Sequence, residues 1–387
     1  MIIEPKIRGF ICTTAHPTGC ATNVQRQIDH VVVKGAIPSA RRRVLVLGCS
    51  TGYGLASRIV NTFGSDADTI GVSFEKPPAE NKTASAGWYN NRAFEQRAKA
   101  VGRLALTIEG DAFSDAVKAE TVEAIRQNLG QVDLIVYSLA SPVRTDPATG
   151  ETYRSAIKPF GAAVEAKTLN TATGEVSEVV IEPATDEEAK ATVKVMGGED
   201  WQLWISALAD AGVLADGFTT LNYTYLGSEL TWPIYHKGTL GVAKADLDRA
   251  AREIRARFTD QSAYVVALKA VVTQASSAIP VVPLYGTLLL KVMAEMGVNE
   301  GTIEQIDRLF RTKLDNPALD DEHRIRVDDW ELSETVQAEM IRRWPLLSTE
   351  TLPKLADLPK YREEFLKLFG FGLGGVDYSA DVDPREV

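Results

Sequence analysis

The sequence predicts an α/β fold in which a parallel β-sheet is covered by helices on both faces. Short, almost entirely apolar runs alternate with segments of helical character, and this is the pattern of strands that are buried on both sides. The apolar runs lie at 41–47, 69–74, 104–108, 132–137, 218–225 and 263–268. A glycine-rich turn at 48–54 follows the first run and precedes a helix. These observations predict a Rossmann-type doubly wound parallel sheet, whose first turn is placed to hold a dinucleotide.

The regions outside this alternation have patterns of their own. Residues 1–40 are expected to be a β-rich lead-in, followed by a helical stretch and a short apolar run at 31–33. Between about 142 and 200 the alternation stops, and two runs at 163–169 and 176–181 flank a turn-rich link. We predict a β-hairpin insertion there, followed by a helix with a capping box at 185–188.

The C-terminal region, 281–387, is predicted to be a mostly helical layer. The chain has no internal repeat and no low-complexity linker. We therefore expect one integrated domain over 1–387, in which 41–280 form the Rossmann-like core with its insertion.

Composition limits the classes of function. The net charge of −10 over 387 residues argues against nucleic acid as the main partner, although it leaves room for an anionic substrate. The N-terminus lacks the features of a signal peptide, and no uninterrupted apolar run is long enough to cross a bilayer. Three cysteines and four scattered histidines show no metal-type spacing. We expect a reduced, cytoplasmic protein without a membrane segment or a metal site.

The glycine-rich turn has the pattern Gly-x-x-x-Gly-x-Gly, from Gly48 to Gly54, which differs from the dinucleotide fingerprint Gly-x-Gly-x-x-Gly. Its position between a strand and a helix favours the same role, because glycine lets the backbone approach a pyrophosphate. Glu75 ends the second apolar run, about 20 residues further on, where an acid can accept hydrogen bonds from the adenosine ribose. Its charge would repel the extra phosphate of NADPH, although Lys76 beside it would tolerate that phosphate.

Two further strand ends are expected along the same crevice. Asp111 and Ala112 follow the third apolar run, and Leu139 and Ala140 follow the fourth. The Asp111 carboxylate is suited to accept from the adenine amino group, and it is equally suited to cap the helix that follows. The sequence leaves both roles open.

Tyr235 and Lys244 are the candidate chemical pair. They are nine positions apart, with eight residues between them, and on a straight helix this spacing places them on opposite sides. They can meet only if Tyr235 lies before the regular helix, with Thr239 as a candidate N-cap; the nearer cation Lys237 is a rival. A tyrosine can donate a proton to a developing oxyanion, and a lysine can hold the nicotinamide ribose and lower the tyrosine pKa. Tyr225, at the end of its strand, either reaches the substrate or only packs.

From the residues alone, we predict that the chain is a nicotinamide-dependent reductase. One alternative is an alcohol or ketone dehydrogenase of the short-chain type, although that class spaces its tyrosine and lysine one helical turn apart. A second alternative is a non-catalytic NAD-sensing protein, which has no need of a proton donor.

Three stretches resemble the single-chain trans-2-enoyl-CoA and enoyl-[acyl-carrier-protein] reductases with a Tyr-x8-Lys signature, larger relatives of the short-chain dehydrogenases. The stretches are 47–54, 235–244 and 272–280, and the resemblance spans essentially the whole chain. It implies NADH-dependent reduction of the C2–C3 double bond of an enoyl thioester on coenzyme A or acyl carrier protein, by a monomer whose segment after the last strand helps to cover the substrate.

The resemblance also implies residue roles. Tyr235 becomes the proton donor, Lys244 a catalytic residue that contacts the cofactor, and Tyr225 a substrate contact. The other cofactor contacts that it implies are Gly48, Cys49, Ser50, Thr51, Gly52, Tyr53, Phe74, Glu75, Asp111, Ala112, Leu139, Ala140, Thr273, Gln274 and Ala275.

Overall fold

The computed structural model describes residues 1–139, 141–259 and 262–386. Ala140, one of the predicted cofactor contacts, lies outside these residues. The strands are β1 (Ile7–Arg8), β2 (Ile11–Cys12), β3 (Arg43–Leu47), β4 (Asp68–Ser73), β5 (Ala105–Glu109), β6 (Val132–Tyr137), β7 (Val143–Thr145), β8 (Thr152–Arg154), β9 (Val164–Leu169), β10 (Val176–Ile181), β11 (Leu214–Thr224), β12 (Ala263–Ala267) and β13 (Ile325–Arg326).

Helices cover the faces of the sheet and are the main regular elements of the C-terminal third. They are α1 (Pro17–Val33), α2 (Gly52–Ile59), α3 (Ala86–Ala100), α4 (Asp115–Asn128), α5 (Asp186–Met196), α6 (Glu199–Asp210), α7 (Thr239–Arg257), α8 (Gln274–Ser277), α9 (Val282–Glu295), α10 (Thr302–Arg308), α11 (Glu334–Arg343), α12 (Leu352–Leu355) and α13 (Leu358–Lys367). A π-helical turn continues α2 over Val60–Gly64 and α10 over Leu309–Lys313, and a 3₁₀ turn spans Trp344–Leu346.

The central sheet has seven parallel strands in the order β5-β4-β3-β6-β11-β12-β13. From β3 the chain winds to one side through β4 and β5, and then from β6 to the other side. This reversal between β3 and β6 confirms the predicted doubly wound fold, and it creates a crevice at the carboxyl ends of those two strands. All six predicted strands are present; β13, a two-residue edge strand beside β12, was not predicted.

Each sheet face is covered by its own core, which explains why the strands are apolar at consecutive positions. On β3, Val44 and Val46 belong to one buried cluster, and Leu45 and Leu47 to the other, all with no exposed surface. Burying each such side chain contributes about 1.5–3 kcal/mol.

The two ends of the chain meet in one cluster. Ile3 packs with Phe365, Phe369 and Phe371. The predicted β-rich start is reduced to the hairpin of β1 and β2, and the 17-residue helix α1 follows it. The apolar run at 31–33 is the last turn of that helix and not a strand, because Val31 packs into the core while Val33 is 88% exposed.

The insertion after β6 contains two antiparallel hairpins, β7–β8 and β9–β10, where one was predicted. Helix α5 follows, and Thr185 and Glu188 form the predicted capping box at its start. In the described part of the chain, no helix is both long and apolar enough to cross a membrane. The same residues contain no cluster of three or more His, Cys, Asp or Glu side chains able to hold a metal ion.

Candidate active site

The glycine-rich turn lies at the switch point of the sheet. Gly48 follows β3 with φ of 81°, and a Cβ atom there would lie 2.2 Å from the Ser138 carbonyl oxygen at the end of β6. A Cβ atom on Gly54 would lie 1.9 Å from the Gly48 carbonyl oxygen, so α2 begins in close contact with the turn. Only glycine fits at both positions, and the backbone is therefore held at the floor of the crevice.

The start of α2 has donors for an anion. Thr51 is the N-cap of this helix, and its side chain makes no capping hydrogen bond, so the first-turn N–H groups receive no acceptor from it. A pyrophosphate is the group that such an end binds in a doubly wound sheet. The Cys49 side chain is buried, and burial raises the pKa of its thiol to about 11. The backbone N–H of Cys49 donates to the Val72 carbonyl.

Glu75 lies just after β4 and faces the turn. Its Oε1 accepts a hydrogen bond from the Ser50 hydroxyl at 2.6 Å. Its N–H donates to Glu109 Oε2 at 3.1 Å, and a Cβ atom on Gly87 would lie 2.1 Å from Glu75 Oε1. The carboxylate is thus fixed between the turn and α3. Burial raises the pKa of Glu109, an acid at the end of β5 that the sequence analysis did not single out, although a strand-end carboxylate is the same signal that identified Glu75.

The third strand end is also fixed by local contacts. Asp111 does not cap the next helix, since Ser114 is the N-cap of α4 and accepts from the Val117 N–H. The Asp111 Oδ1 accepts from the Phe113 N–H at 3.0 Å. The Ala112 carbonyl accepts from Trp204 Nε1 at 3.0 Å. Phe74, also predicted to contact the cofactor, is 79% exposed beside this edge.

Tyr235 lies in a turn that precedes α7, as the pairing with Lys244 requires. The N-cap of α7 is Gly238 and not Thr239, because Thr239 is already helical and its hydroxyl donates to the Ala156 carbonyl instead. Several backbone hydrogen bonds hold the turn; among them, the Tyr235 N–H donates to the Thr231 carbonyl, and the Gly241 N–H donates to the Tyr235 carbonyl, each at 3.0 Å. The tyrosine is therefore positioned by this turn and not by helical spacing.

The electrostatic surroundings of the pair keep the tyrosine protonated. Burial raises the Tyr235 pKa, and the negative charge of Glu331 raises it further. Burial lowers the pKa of Lys244 to about 8, and Asp248 opposes that shift. Lys237, the rival cation, is exposed to solvent.

Tyr225 packs directly against Tyr235. The ring centroids are 5.2 Å apart and the planes are inclined by 72°, which is an edge-to-face arrangement. The Tyr225 hydroxyl donates to Glu331 Oε1 at 3.1 Å. Glu331 lies 106 positions away in the sequence, and no local pattern identified it.

The remaining predicted contacts lie at the end of β12 and on the glycine-rich turn. Thr273 is the N-cap of the short helix α8, which carries Gln274 and Ala275, and the latter two are exposed. The Tyr53 hydroxyl donates to the Lys269 carbonyl at 2.7 Å and so connects the turn to β12. The Leu139 side chain lies beside Gly48.

A doubly wound sheet, a glycine-rich turn without a side-chain cap and a buried tyrosine at the same edge define a dinucleotide-dependent oxidoreductase. Comparison with known proteins is more specific. Family models match three segments: the trans-2-enoyl-CoA reductase catalytic region at 82–315, the NAD(P)H binding domain of trans-2-enoyl-CoA reductase at 2–80, and an enoyl reductase FAD binding domain at 319–382. The chain belongs to the trans-2-enoyl-CoA reductase family.

Individual relatives agree with this assignment. The enoyl-[acyl-carrier-protein] reductase [NADH] of Edwardsiella ictaluri is 55% identical, over 99% of this chain and 98% of the relative. The trans-2-enoyl-CoA reductase of Treponema denticola, solved in complex with NAD, is 48% identical with a TM-score of 0.95, over 99% of this chain and 98% of that one. The Clostridium acetobutulicum enzyme, solved with NADH, is 40% identical with a TM-score of 0.96, over 100% and 98% of the two chains.

The segment 319–382 does not fit a flavin site. In its described residues, the elements are the two-residue strand β13 and short helices, and no strand leads through a glycine-rich turn into a helix. Buried side-chain polar atoms without a hydrogen-bond partner occur in the described chain, but none lies in this segment. A Cβ atom on Gly370 would lie 2.5 Å from the Cys20 nitrogen, so this glycine serves packing against α1.

Proposed function

We propose that this chain catalyses the NADH-dependent reduction of the C2–C3 double bond of trans-2-enoyl thioesters. The observation that carries the proposal is the buried Tyr235, held before α7 and against Tyr225 at the sheet edge that carries the glycine-rich turn. Family membership supports the same reaction.

NADH, when bound, supplies the hydride that adds to C3 of the substrate. The C2–C3 π electrons then form a C1–C2 double bond, and the carbonyl π electrons move onto the thioester oxygen, which gives an enolate. The Tyr235 hydroxyl donates to that oxygen and transfers its proton to it. C2 takes up a proton as the enol returns to the saturated thioester, and solvent returns a proton to Tyr235. Because this charge is present mainly in the transition state, a donor placed there raises kcat, and losing one costs about 3–4 kcal/mol. Lys244 would hold the nicotinamide ribose with its ammonium group.

The cofactor contacts proposed for this chain remain those inferred from its sequence, with the turn 48–53 at the pyrophosphate and Glu75 at the adenosine ribose. The hydrogen bond from Ser50 to Glu75 supports this arrangement, since it joins the two subsites. We also propose that the whole chain acts as one domain, and that it is a cytoplasmic monomer. One buried cluster that includes Val24, Val136 and Val327 supports the single domain.

The test is NADH oxidation by the purified protein with crotonyl-CoA, and with acetoacetyl-CoA in a parallel assay. Oxidation with crotonyl-CoA alone establishes enoyl reduction. Oxidation with the ketone alone would indicate a short-chain-type dehydrogenase, and bound NADH without turnover in either assay would indicate a sensor. The same enoyl group on acyl carrier protein then compares the two carriers by kcat/KM.

A further inference from the structure

We propose that Glu331 is a positioning residue for this reduction. It fixes the orientation of Tyr225 and, through the Tyr225 ring, that of the proton donor Tyr235. The inference rests on the function proposed above, and it gives the C-terminal segment 319–382 a role in the active site that requires no flavin.

Glu331 is a fully buried carboxylate that accepts three hydrogen bonds. Its Oε1 accepts from the Tyr285 hydroxyl at 2.6 Å and from the Tyr225 hydroxyl at 3.1 Å. Its Oε2 accepts from the Ala270 N–H at 2.6 Å. Because an ionised carboxylate can only accept, both tyrosine hydroxyl protons are directed toward it.

Burial has the largest effect on this carboxylate and holds its pKa above the ordinary range, while its hydrogen-bond donors and a nearby ammonium group act against that effect. The largest opposing contributions are the hydrogen bond from Tyr285 and the positive charge of Lys269. Lys269 is itself buried, and its ammonium group donates to the Ala270 carbonyl at 2.9 Å, next to the N–H that Glu331 accepts. Gln337 Nε2 donates to the Glu331 carbonyl at 2.7 Å and so anchors its backbone. The protein therefore supplies both a counter-charge and a rigid support.

Tyr225 transmits this support to the proton donor. Its backbone follows Thr224, the last residue of β11, and its hydroxyl is bound to Glu331, so the ring is held at both ends. Tyr235 lies in a turn, and the edge-to-face contact with the Tyr225 ring restricts the movement of the Tyr235 ring. A small displacement of a reacting group can reduce the reaction rate about 100-fold, so a rigid contact that holds the Tyr235 ring in place would preserve the rate.

The hydrogen-bond directions also assign different tasks to the two tyrosines. Tyr225 donates its proton to Glu331. Among the residues that the structure describes, none accepts a hydrogen bond from the Tyr235 hydroxyl, which is therefore left to donate to the substrate. Removing the Glu331 carboxylate would leave the Tyr225 hydroxyl without its acceptor, and that hydroxyl could then donate to the same thioester oxygen as Tyr235.

The experiment compares Glu331→Gln with wild type. The amide cannot accept from the Ala270 N–H and from both hydroxyls at once, because one of its two ends is a donor. We expect kcat with crotonyl-CoA to fall about tenfold or more, while the Kd for NADH changes less than about twofold. The matched control is Asp328→Asn, which removes another buried acid of the same segment, one that pairs with Arg326. The control should lower Tm and leave kcat unchanged.

A double-mutant cycle separates positioning from general destabilisation. If Glu331 acts through Tyr225, then adding Glu331→Gln to Tyr225→Phe should reduce kcat by less than about twofold. Should Glu331→Gln fail to fold, Tyr285→Phe removes a single donor to the same carboxylate and should lower kcat about threefold.

Two results would overturn the proposal: an unchanged kcat in the folded single variant, or an equal loss of kcat in the presence and absence of the Tyr225 hydroxyl. If the wild-type protein itself does not oxidise NADH with crotonyl-CoA, it is the proposed function that fails, and this outcome is distinct from both.

Discussion

Replacing Glu75 by alanine tests the cofactor subsite directly. The carboxylate lies after β4, where Ser50 donates to its Oε1 and the Glu75 backbone N–H is held by Glu109. One hydrogen bond from Ser50 leaves the second oxygen free to accept from the adenosine ribose. The substitution removes that acceptor and one negative charge, and it leaves the strand and the glycine-rich turn in place.

The magnitude follows from the number of hydrogen bonds lost. A hydrogen bond to a charged group contributes about 1.5–3 kcal/mol, and the half-buried position of Glu75 favours the middle of that range. A loss of about 2–2.5 kcal/mol raises the Kd for NADH about 30- to 70-fold. NADPH should respond oppositely, because its extra phosphate no longer faces the charge of Glu75. The neighbouring Glu109 carboxylate remains, so we expect that gain to be no more than about tenfold.

The assay measures the Kd of NADH and of NADPH by fluorescence titration, and the KM for each cofactor in the crotonyl-CoA reaction. Glu80→Ala is the matched control, since Glu80 is an exposed acid of the loop that follows Glu75, and it should change neither constant. An unchanged ratio of NADH to NADPH affinity in Glu75→Ala would refute the ribose role.

Three further predictions follow from the same geometry. Tyr235→Phe should lower kcat about 100- to 1,000-fold with little change in the Kd for NADH, as measured by steady-state kinetics and titration; a loss of binding instead would contradict its role as donor. Lys244 has a pKa of about 8, so its charge is present below that pH, and kcat/KM for NADH should fall as the pH rises through it. Lys244→Arg should move that fall to higher pH, and a fall that stays in place argues against this lysine. Gly48→Ala should lower the free energy of unfolding by more than about 3 kcal/mol in urea titration, because it adds a clash with Ser138 to the strain of a positive φ. Gly102→Ala, with φ of 74° and open space around it, should cost about 1 kcal/mol; equal losses would exclude the clash.

The sheet was predictable because each of its main strands is buried on both faces and therefore has apolar residues at consecutive positions. Residues 132–137, for example, form β6 with the bounds predicted. β13 has only two residues, at an edge, and so has no periodicity to detect. The run at 31–33 has the composition of a strand, but it completes α1, because packing of Val31 outweighs a β-propensity that spans only about 1 kcal/mol.

The arrangement of the candidate site was predictable where its residues are close to one another in the sequence. The glycine-rich turn and Glu75 are encoded next to the strands that carry them, and their relation follows from the regular geometry of a doubly wound sheet. Glu331 could not be found in this way. Its contact with Tyr225 depends on how the C-terminal helices pack on the end of β12, and one buried acid in a helical region carries no signal of its partners.

The eight-residue gap between Tyr235 and Lys244 has a structural consequence for the whole chain. Where tyrosine and lysine lie one turn apart on a helix, that helix orients both. Here α7 orients only Lys244, and Tyr235 depends on its own turn and on the neighbouring Tyr225 ring. That ring in turn depends on Glu331, which the C-terminal segment supplies. On the positioning role proposed for Glu331, a Rossmann core ending near residue 280 would keep the sheet from β3 to β12 and the glycine-rich turn, but it would leave the proton donor without the Tyr225 ring fixed beside it. The C-terminal region is therefore tied to the proposed chemistry of this chain. Because the proton donor lies outside the helix that carries Lys244, another part of the protein must hold it in place.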